Sequence, residues 1–321
     1  MDGVSFIDMV IASFNPKRVA ALVGPTSSGK SSLACKLCKE LPLEIICMDS
    51  MQVYEEMQVG TSRPDDQEMK AAPHHLYGAF SVRNPLSTIR YAEAASQKIE
   101  EIQKRNKIPL LVGGTGLYMR ALFEGLDQLP QTPVALRKRL NHSAERKGRG
   151  WLYQMLQRLD PRGAAHLHIN DTQRVQRFLE VRILTGKSML DAWSKQKNEF
   201  TPPVVIGLQV PRPVLHRLIE NSVNRMLRGG WIEETKRLQD RQLMSHVFEM
   251  GPLGYRQVHE YLANQLTYEK MEGNIVVATR RYAKRQMTWF RKVSYIQWFP
   301  FDPNSGYNVK DIMIFLGDRL G

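Results

Sequence analysis

Apolar positions along the chain fall into two kinds of run. Short, almost continuous ones occur as "RVAALV" (18–23), "LEIICMD" (43–49), "IPLLVGG" (108–114) and "VVIGLQV" (204–210). Runs of this kind suit strands buried on both faces of a parallel sheet. Between them, residues 31–41 and "RYAEAASQKIEEIQKRNK" (90–107) carry the spacing of amphipathic helices, so strand and helix alternate. That alternation predicts an α/β fold, an open parallel sheet flanked by helices with its ligands at the carboxyl ends of the strands. From about residue 130 the pattern turns helical, basic and poor in β-branched runs. The expected organisation is a core in two parts, 1–125 and 202–321, interrupted by an all-helical lobe at 126–201. Helices are predicted from 214 to about 292, and "SYIQWF" (294–299) reads as a last strand.

Charge narrows the partners. The 321 residues include 45 Lys and Arg against 32 Asp and Glu, a net charge of +13, which favours a polyanion. No apolar run approaches the roughly 18 residues that suggest a transmembrane helix, and the first residues carry Asp2 and Asp8 in place of a basic leader. No membrane partner and a cytoplasmic location are expected, and a monomer is the default. Cys35, Cys38 and Cys47 are too few for a disulfide scaffold, and Cys35 with Cys38 falls inside a predicted helix, where buried thiols are the plainer reading. His166 and His168 lack neighbours of metal-ligand type.

The most specific motif is "GPTSSGKS", comprising Gly24, Pro25, Thr26, Ser27, Ser28, Gly29, Lys30 and Ser31. It fits G-x-x-x-x-G-K-[ST] between a predicted strand and a predicted helix, the context in which backbone N–H groups cradle a phosphate chain. Lys30 then neutralises that chain, and the Ser31 hydroxyl is the expected Mg²⁺ ligand. No N-K-x-D guanine-reading segment follows. Asp49, at the end of the second strand, reads either as a carboxylate on the metal of an ATPase or small-molecule kinase, or as a base. Its neighbours Ser50, Met51 and Gln52 suit the edge of a nucleobase.

The carboxyl half supplies the polyanion surface. No acidic residue occurs between Gly273 and Pro300, whereas "TRRYAKRQMTWFRK" carries Arg281, Lys284, Arg285 and Lys292 at spacings near one helical face. Such a stripe suits an RNA backbone, with Tyr282, Trp289 and Phe290 for packing or stacking. In the lobe, Arg174 and Arg177 stand one turn apart and are expected to face one groove.

Together "GPTSSGKS", "MDSMQVY", "VGTSRP", "HHL", "VGGTGLYMRAL", "INDTQRVQRFLEV", "GYRQ" and "TRRYAKRQMTWFRK" occur in an order that resembles the bacterial tRNA dimethylallyltransferases, from about residue 18 to 300. The resemblance implies a P-loop NTPase-like sheet whose loop grips dimethylallyl diphosphate instead of a nucleotide. It implies prenyl transfer to N6 of the adenosine 3′ to the anticodon, with the tRNA anticodon stem-loop as partner. On that basis Asp49 holds N6 and accepts its proton, and Thr26, Lys30, Ser31 and Mg²⁺ hold the diphosphate. Ser50, Met51 and Gln52 then line a pocket for a flipped base. The resemblance assigns tRNA contacts to Thr115, to Gln173, Arg174, Val175, Gln176 and Arg177, and to Gly251, Pro252, Leu253, Gly254, Tyr255 and Arg256; Arg137 of the basic lobe and Arg281, Lys284 and Arg285 of the cationic stripe are expected tRNA contacts from their charge.

Two positions depart from that family. Ser222 stands where relatives carry an arginine toward the diphosphate, and Arg225, three residues on, is expected to take its place. Gly78 stands where an acidic residue is usual. The competing readings are a small-metabolite kinase, which leaves the basic helix and the lobe without a role, and an RNA-binding relative that has lost catalysis, against which Lys30 and Asp49 both weigh.

Overall fold

The structure, a computed structural model, describes residues 15–125, 129–148, 150–193 and 202–321. The chain divides into two compact units, one made of the segments up to Glu124 and from Thr201, the other spanning Gly125–Phe200. The first unit begins β1 (Ala20–Val23), α1 (Lys30–Glu40), β2 (Leu43–Cys47), α2 (Asp66–Ala71), β3 (His74–His75), α3 (Thr88–Lys104), β4 (Ile108–Gly113), α4 (Gly116–Phe123). The second unit contains α5 (Val134–Lys147), α6 (Gly150–Leu159), α7 (Pro161–Ala165), α8 (Thr172–Thr185) and α9 (Met189–Trp193). The first then resumes with β5 (Val204–Gln209), α10 (Arg212–Arg228), α11 (Trp231–Asp240), α12 (Met244–Met250) and α13 (Tyr255–Leu262). It finishes with α14 (Tyr268–Phe290), β6 (Ile296–Pro300) and α15 (Val309–Leu320).

The six strands form one parallel sheet in the order β3-β2-β4-β1-β5-β6. The pleat sorts its side chains by period two. Ala21, Val23, Ile46, Leu111 and Val205 face one apolar core with Tyr91, Tyr118 and the residues of α10 to α14, while Ala20, Leu22, Ile45, Leu110 and Ile206 face a second core with α1 and α15. Burial on both faces explains why the strands read as continuous apolar runs. The exception, Glu44, is buried, and Arg105 and His75 hydrogen-bond its carboxylate at 2.6 and 2.8 Å, holding its carboxyl below the usual range. Neither the two-residue β3 nor α15 was anticipated by the hydrophobic pattern.

The lobe has a core of its own, built from Leu140, Leu152, Leu156, Val175, Phe178 and Leu179. Beside it lies Glu180, a buried carboxylate that accepts hydrogen bonds from Thr132 at 2.6 Å, Arg137 at 3.1 Å and Gln176 at 3.3 Å. Among the described residues no helix is long and apolar enough to cross a membrane.

Candidate functional site

The carboxyl ends of β1 and β2 open on a cavity of about 1010 Å³ within the first unit. Its floor is the phosphate loop. Ser27 takes a left-handed φ of 61°, and Gly29 precedes α1, which has neither a side-chain cap nor an acidic residue in its first turn. The unpaired N–H groups of that turn and the helix dipole therefore face outward as an anion site. Lys30 folds back on the loop, its Nζ donating to the Gly24 and Pro25 carbonyls at 3.1 and 2.7 Å. Burial lowers the Lys30 ammonium from 10.5 to about 8, and the negative charge of Asp49 acts in the opposite sense.

Asp49 follows β2 on a tight turn. Its Oδ1 accepts the N–H groups of Met51 at 2.9 Å and Gln52 at 3.3 Å, a side-chain turn that fixes the carboxylate and leaves Oδ2 for a ligand. Ser50 N–H donates to Thr115 Oγ1 at 3.0 Å, which ties this turn to the start of α4. The Gln52 amide donates to the Thr61 and Ser62 carbonyls, each at 3.0 Å, so it braces the 58–63 wall of the cavity.

That wall depends on a residue that no motif singles out. Glu234 of α11 is 3% exposed and accepts the N–H groups of Gln58, Val59 and Gly60 at 2.8, 2.7 and 3.0 Å, together with the Tyr255 hydroxyl at 2.7 Å. A second such residue is Gln286 on α14, whose Oε1 accepts Thr26 N–H at 2.8 Å and whose Nε2 donates to the Gly114 carbonyl at 3.0 Å. A third is Tyr307, which lines the cavity and donates its hydroxyl to the Ser28 carbonyl at 3.0 Å.

The expected site residues separate into groups. The cavity is lined by Thr26, Ser27, Ser28, Gly29, Lys30, Ser31, Asp49, Ser50, Met51, Gln52, Ser222, Arg225, Gly251, Pro252, Leu253 and Arg285. Ser222 is 6% exposed, whereas Arg225, three residues along α10, is exposed at the rim. On α14, Arg281, Lys284 and Arg285 are exposed, and Arg280 instead pairs with Glu220 of α10. Lys292 lies beyond the end of α14. Arg256 is exposed, its guanidinium 4.7 Å from the Phe248 ring centroid.

Several expectations are corrected. Val175 is 1% exposed inside the lobe core and Tyr255 is 0% exposed with its hydroxyl on Glu234, so neither side chain meets a macromolecule; Gly254 is buried against Trp231. Arg174 and Arg177 do not share an open groove. Arg174 is exposed near Asp171 at 3.6 Å, whereas Arg177 turns inward to Thr132 at 2.7 Å and the Pro130 carbonyl at 3.0 Å. Arg137 also pairs with Glu180 but keeps its side chain 55% exposed, and Gln173 is exposed, so both remain open to a partner. Gly78 suits its position: its φ is +58°, and a Cβ there would stand 2.2 Å from Arg63 Nη1, which donates to the Tyr54 carbonyl at 2.9 Å. The left-handed backbone there favours glycine, and any side chain would have to displace the Arg63 guanidinium from the Tyr54 carbonyl.

The oxygen donors that line the cavity at the loop are the Ser31 hydroxyl and the Asp49 carboxylate, and no group of three or more His, Cys, Asp or Glu among the described residues could hold a metal alone. Hard oxygen donors few in number fit a cation that takes most of its ligands from phosphate and water. Burial pushes the Cys35, Cys38 and Cys47 thiols up, Cys38 to about 12, which leaves them inert packing groups.

Comparison with known proteins adds the relatives. The IPP transferase family profile matches residues 52–293. A tRNA dimethylallyltransferase of Legionella pneumophila (strain Corby) is 42% identical over 282 residues, 86% of this chain and 89% of its own. One from Bacillus subtilis (strain 168) is 36% identical over 299 residues, 92% and 95% of the two chains. Among solved structures, the full-length tRNA isopentenylpyrophosphate transferase from Bacillus halodurans superposes with a TM-score of 0.67 at 33% identity, covering 95% of this chain and 97% of that one. A eukaryotic dimethylallyltransferase, described acting on tRNA, gives 0.72 at 28% identity over 88% and 73%.

Proposed function

This chain belongs to the IPP transferase family, and we propose from its site that it transfers a dimethylallyl group from dimethylallyl diphosphate to N6 of the adenosine 3′-adjacent to the anticodon of tRNA. The observation that carries the reading is the shared cavity. The phosphate loop, the Asp49 turn and the cationic α14 all border it. The chemistry needs each in turn: a leaving diphosphate held by positive groups, a base at the attacking amine, and a surface for a polyanion.

In this reading the N–H groups at the start of α1 and the Lys30 ammonium bind the diphosphate, with Thr26 beside it and Arg225 reaching it from the rim that Ser222 leaves uncharged. The target base leaves its stack and lies against Ser50, Met51 and Gln52. N6 attacks the allylic carbon, the carbon–oxygen bond to diphosphate breaks, and Asp49 Oδ2 takes the N6 proton. The rigid turn around Oδ1 keeps that oxygen aimed while charge moves from amine to leaving group. Ser31 is the residue that would hold Mg²⁺; when bound, the ion adds positive charge at the leaving oxygens. Arg281, Lys284, Arg285 and Arg256, with the exposed Gln173 and Arg174 of the lobe, receive the tRNA phosphates. The same reading places the protein in the cytoplasm with its substrate.

The test is to incubate the protein and Mg²⁺ with unmodified tRNA and either dimethylallyl diphosphate or ATP, then weigh the digested nucleosides. An isopentenyl mass on adenosine from the prenyl donor alone is expected. Asp49→Asn should abolish it while leaving tRNA affinity intact, and equal turnover in the two proteins would remove Asp49 from the chemistry.

A further inference from the structure

We infer that Gln286 is a positioning residue that joins the phosphate loop, the Asp49 turn and α14 into one mechanical unit, so that RNA seated on α14 tightens the hold on diphosphate. The inference rests on the reading above and adds to it a coupling between the two substrates.

Gln286 is 5% exposed on a helix whose neighbouring Lys284 and Arg285 face solvent. A buried carboxamide is costly unless both ends are satisfied, and here they are satisfied by two different elements. The oxygen holds Thr26 N–H of the phosphate loop, and the nitrogen holds the Gly114 carbonyl after β4. Gly114 is joined directly to Thr115, whose Oγ1 accepts Ser50 N–H at 3.0 Å. A continuous series therefore runs from the loop that holds the leaving group, through the basic helix, to the residue after Asp49.

Sterics make the series stiff. A Cβ on Gly114 would stand 2.0 Å from Gln286 Nε2, and one on Gly116 would stand 2.2 Å from the Trp289 ring. The helix is thus seated at two successive turns in space that only glycine leaves open. It cannot slide without dragging Thr26. Because Thr26 N–H is spent on Gln286, Gln286 acts on the donor only through the loop. RNA phosphates on Arg281, Lys284 and Arg285 would restrain α14, and the ordering of the loop would then be incurred once for both ligands, which is positive coupling.

The experiment is titration of Mg²⁺ and inorganic pyrophosphate into the full-length protein, with and without an unmodified anticodon stem-loop RNA, for the parent, Gln286→Ala and Gln286→Glu. In the parent, RNA is expected to tighten pyrophosphate binding by about tenfold, within the usual span of coupling between sites. In both variants the tightening should shrink to less than about twofold, while affinity for RNA alone stays near the parent value; each variant leaves a buried hydrogen-bonding group unpaired and melts lower, so the titrations are run below the melting transition of each protein. If Gln286→Ala does not fold, the isosteric Gln286→Glu decides: it keeps an acceptor for Thr26 and loses the donor to Gly114. Undiminished tightening in a folded variant, or no tightening in the parent, overturns the coupling. A parent that binds pyrophosphate cooperatively but makes no isopentenyl adenosine would instead overturn the assigned reaction and leave the coupling standing.

Discussion

Lys30 should make donor binding pH-dependent in a range where few other groups titrate. Its ammonium falls to about 8 because burial penalises the charge, with Asp49 limiting the fall. Only the protonated form attracts diphosphate, so the apparent Kd scales as one plus the ratio of neutral to charged lysine. For a value of about 8, Lys30 is about 90% charged at pH 7 and about 10% charged at pH 9. Binding of dimethylallyl diphosphate should weaken about tenfold over that interval, or about 1.4 kcal/mol. The direction is fixed by the cation: affinity is full below pH 8 and is lost as pH rises. The donor itself does not explain such a change, since the last ionisation of a phosphate group lies near pH 6. The assay is a Kd by calorimetry at constant ionic strength from pH 6.5 to 9.5. Two controls sharpen it. Lys30→Arg keeps its charge throughout and should remove the break, whatever its baseline affinity, and Asp49→Asn removes the opposing field and should move the break to lower pH. A parent profile flat to pH 9.5, or a break that survives in Lys30→Arg, would refute the reasoning.

Other consequences follow from single contacts. Glu234→Gln removes the charge that gathers three N–H groups and a hydroxyl; urea unfolding should show a loss of about 2–4 kcal/mol, and a loss below 0.5 would mean the wall holds itself. Arg225→Ala should raise the KM for the prenyl diphosphate about tenfold with tRNA affinity unchanged, as expected for one charged contact; unchanged kinetics would return the rim to a solvent role. Gly114→Ala forces a methyl against Gln286 and should lower kcat and melting temperature together, whereas a wild-type melting curve would show that the seat is slack. Tyr307→Phe deletes one neutral hydrogen bond to the Ser28 carbonyl. It should weaken donor binding about fivefold, measured by the same calorimetry.

Much of the core was legible because it is written locally. The strand that ends in Gly24, the loop and the helix beginning at Lys30 are contiguous, and the Asp49 turn closes on residues two and three positions away. The strand "SYIQWF" was readable for the same reason. What escaped is long-range pairing. Thr26 and Gln286 are 260 positions apart and Gln58 and Glu234 are 176 apart, and a lone polar residue on an amphipathic helix carries no mark of which distant backbone it serves. Tyr255 misled in the opposite sense. It sits in a polar, glycine-punctuated stretch that reads as surface, yet its ring is buried edge-on to Trp231 at 5.6 Å and its hydroxyl finds Glu234. In the lobe, the one-turn spacing of Arg174 and Arg177 suggested a shared groove, but Glu180, Thr132 and the Pro130 carbonyl draw Arg177 inward, and spacing gives no sign of that capture.

The position of β1 has a consequence for how the molecule comes into being. Ala20 pairs with Leu110 on one side and with Val204 on the other, and the adjoining strand β5 pairs in turn with residues near 296–300. On a ribosome that delivers about 5–20 residues per second, the phosphate loop emerges early but its flank, and the tyrosine that braces it, arrive only after most of the chain has been made. The lobe depends on neighbours close in sequence, so its core has all its parts while the sheet around β1 is still half assembled. The nascent chain therefore carries an unfinished anion site for most of its synthesis, and the grip on diphosphate becomes a property of the finished protein.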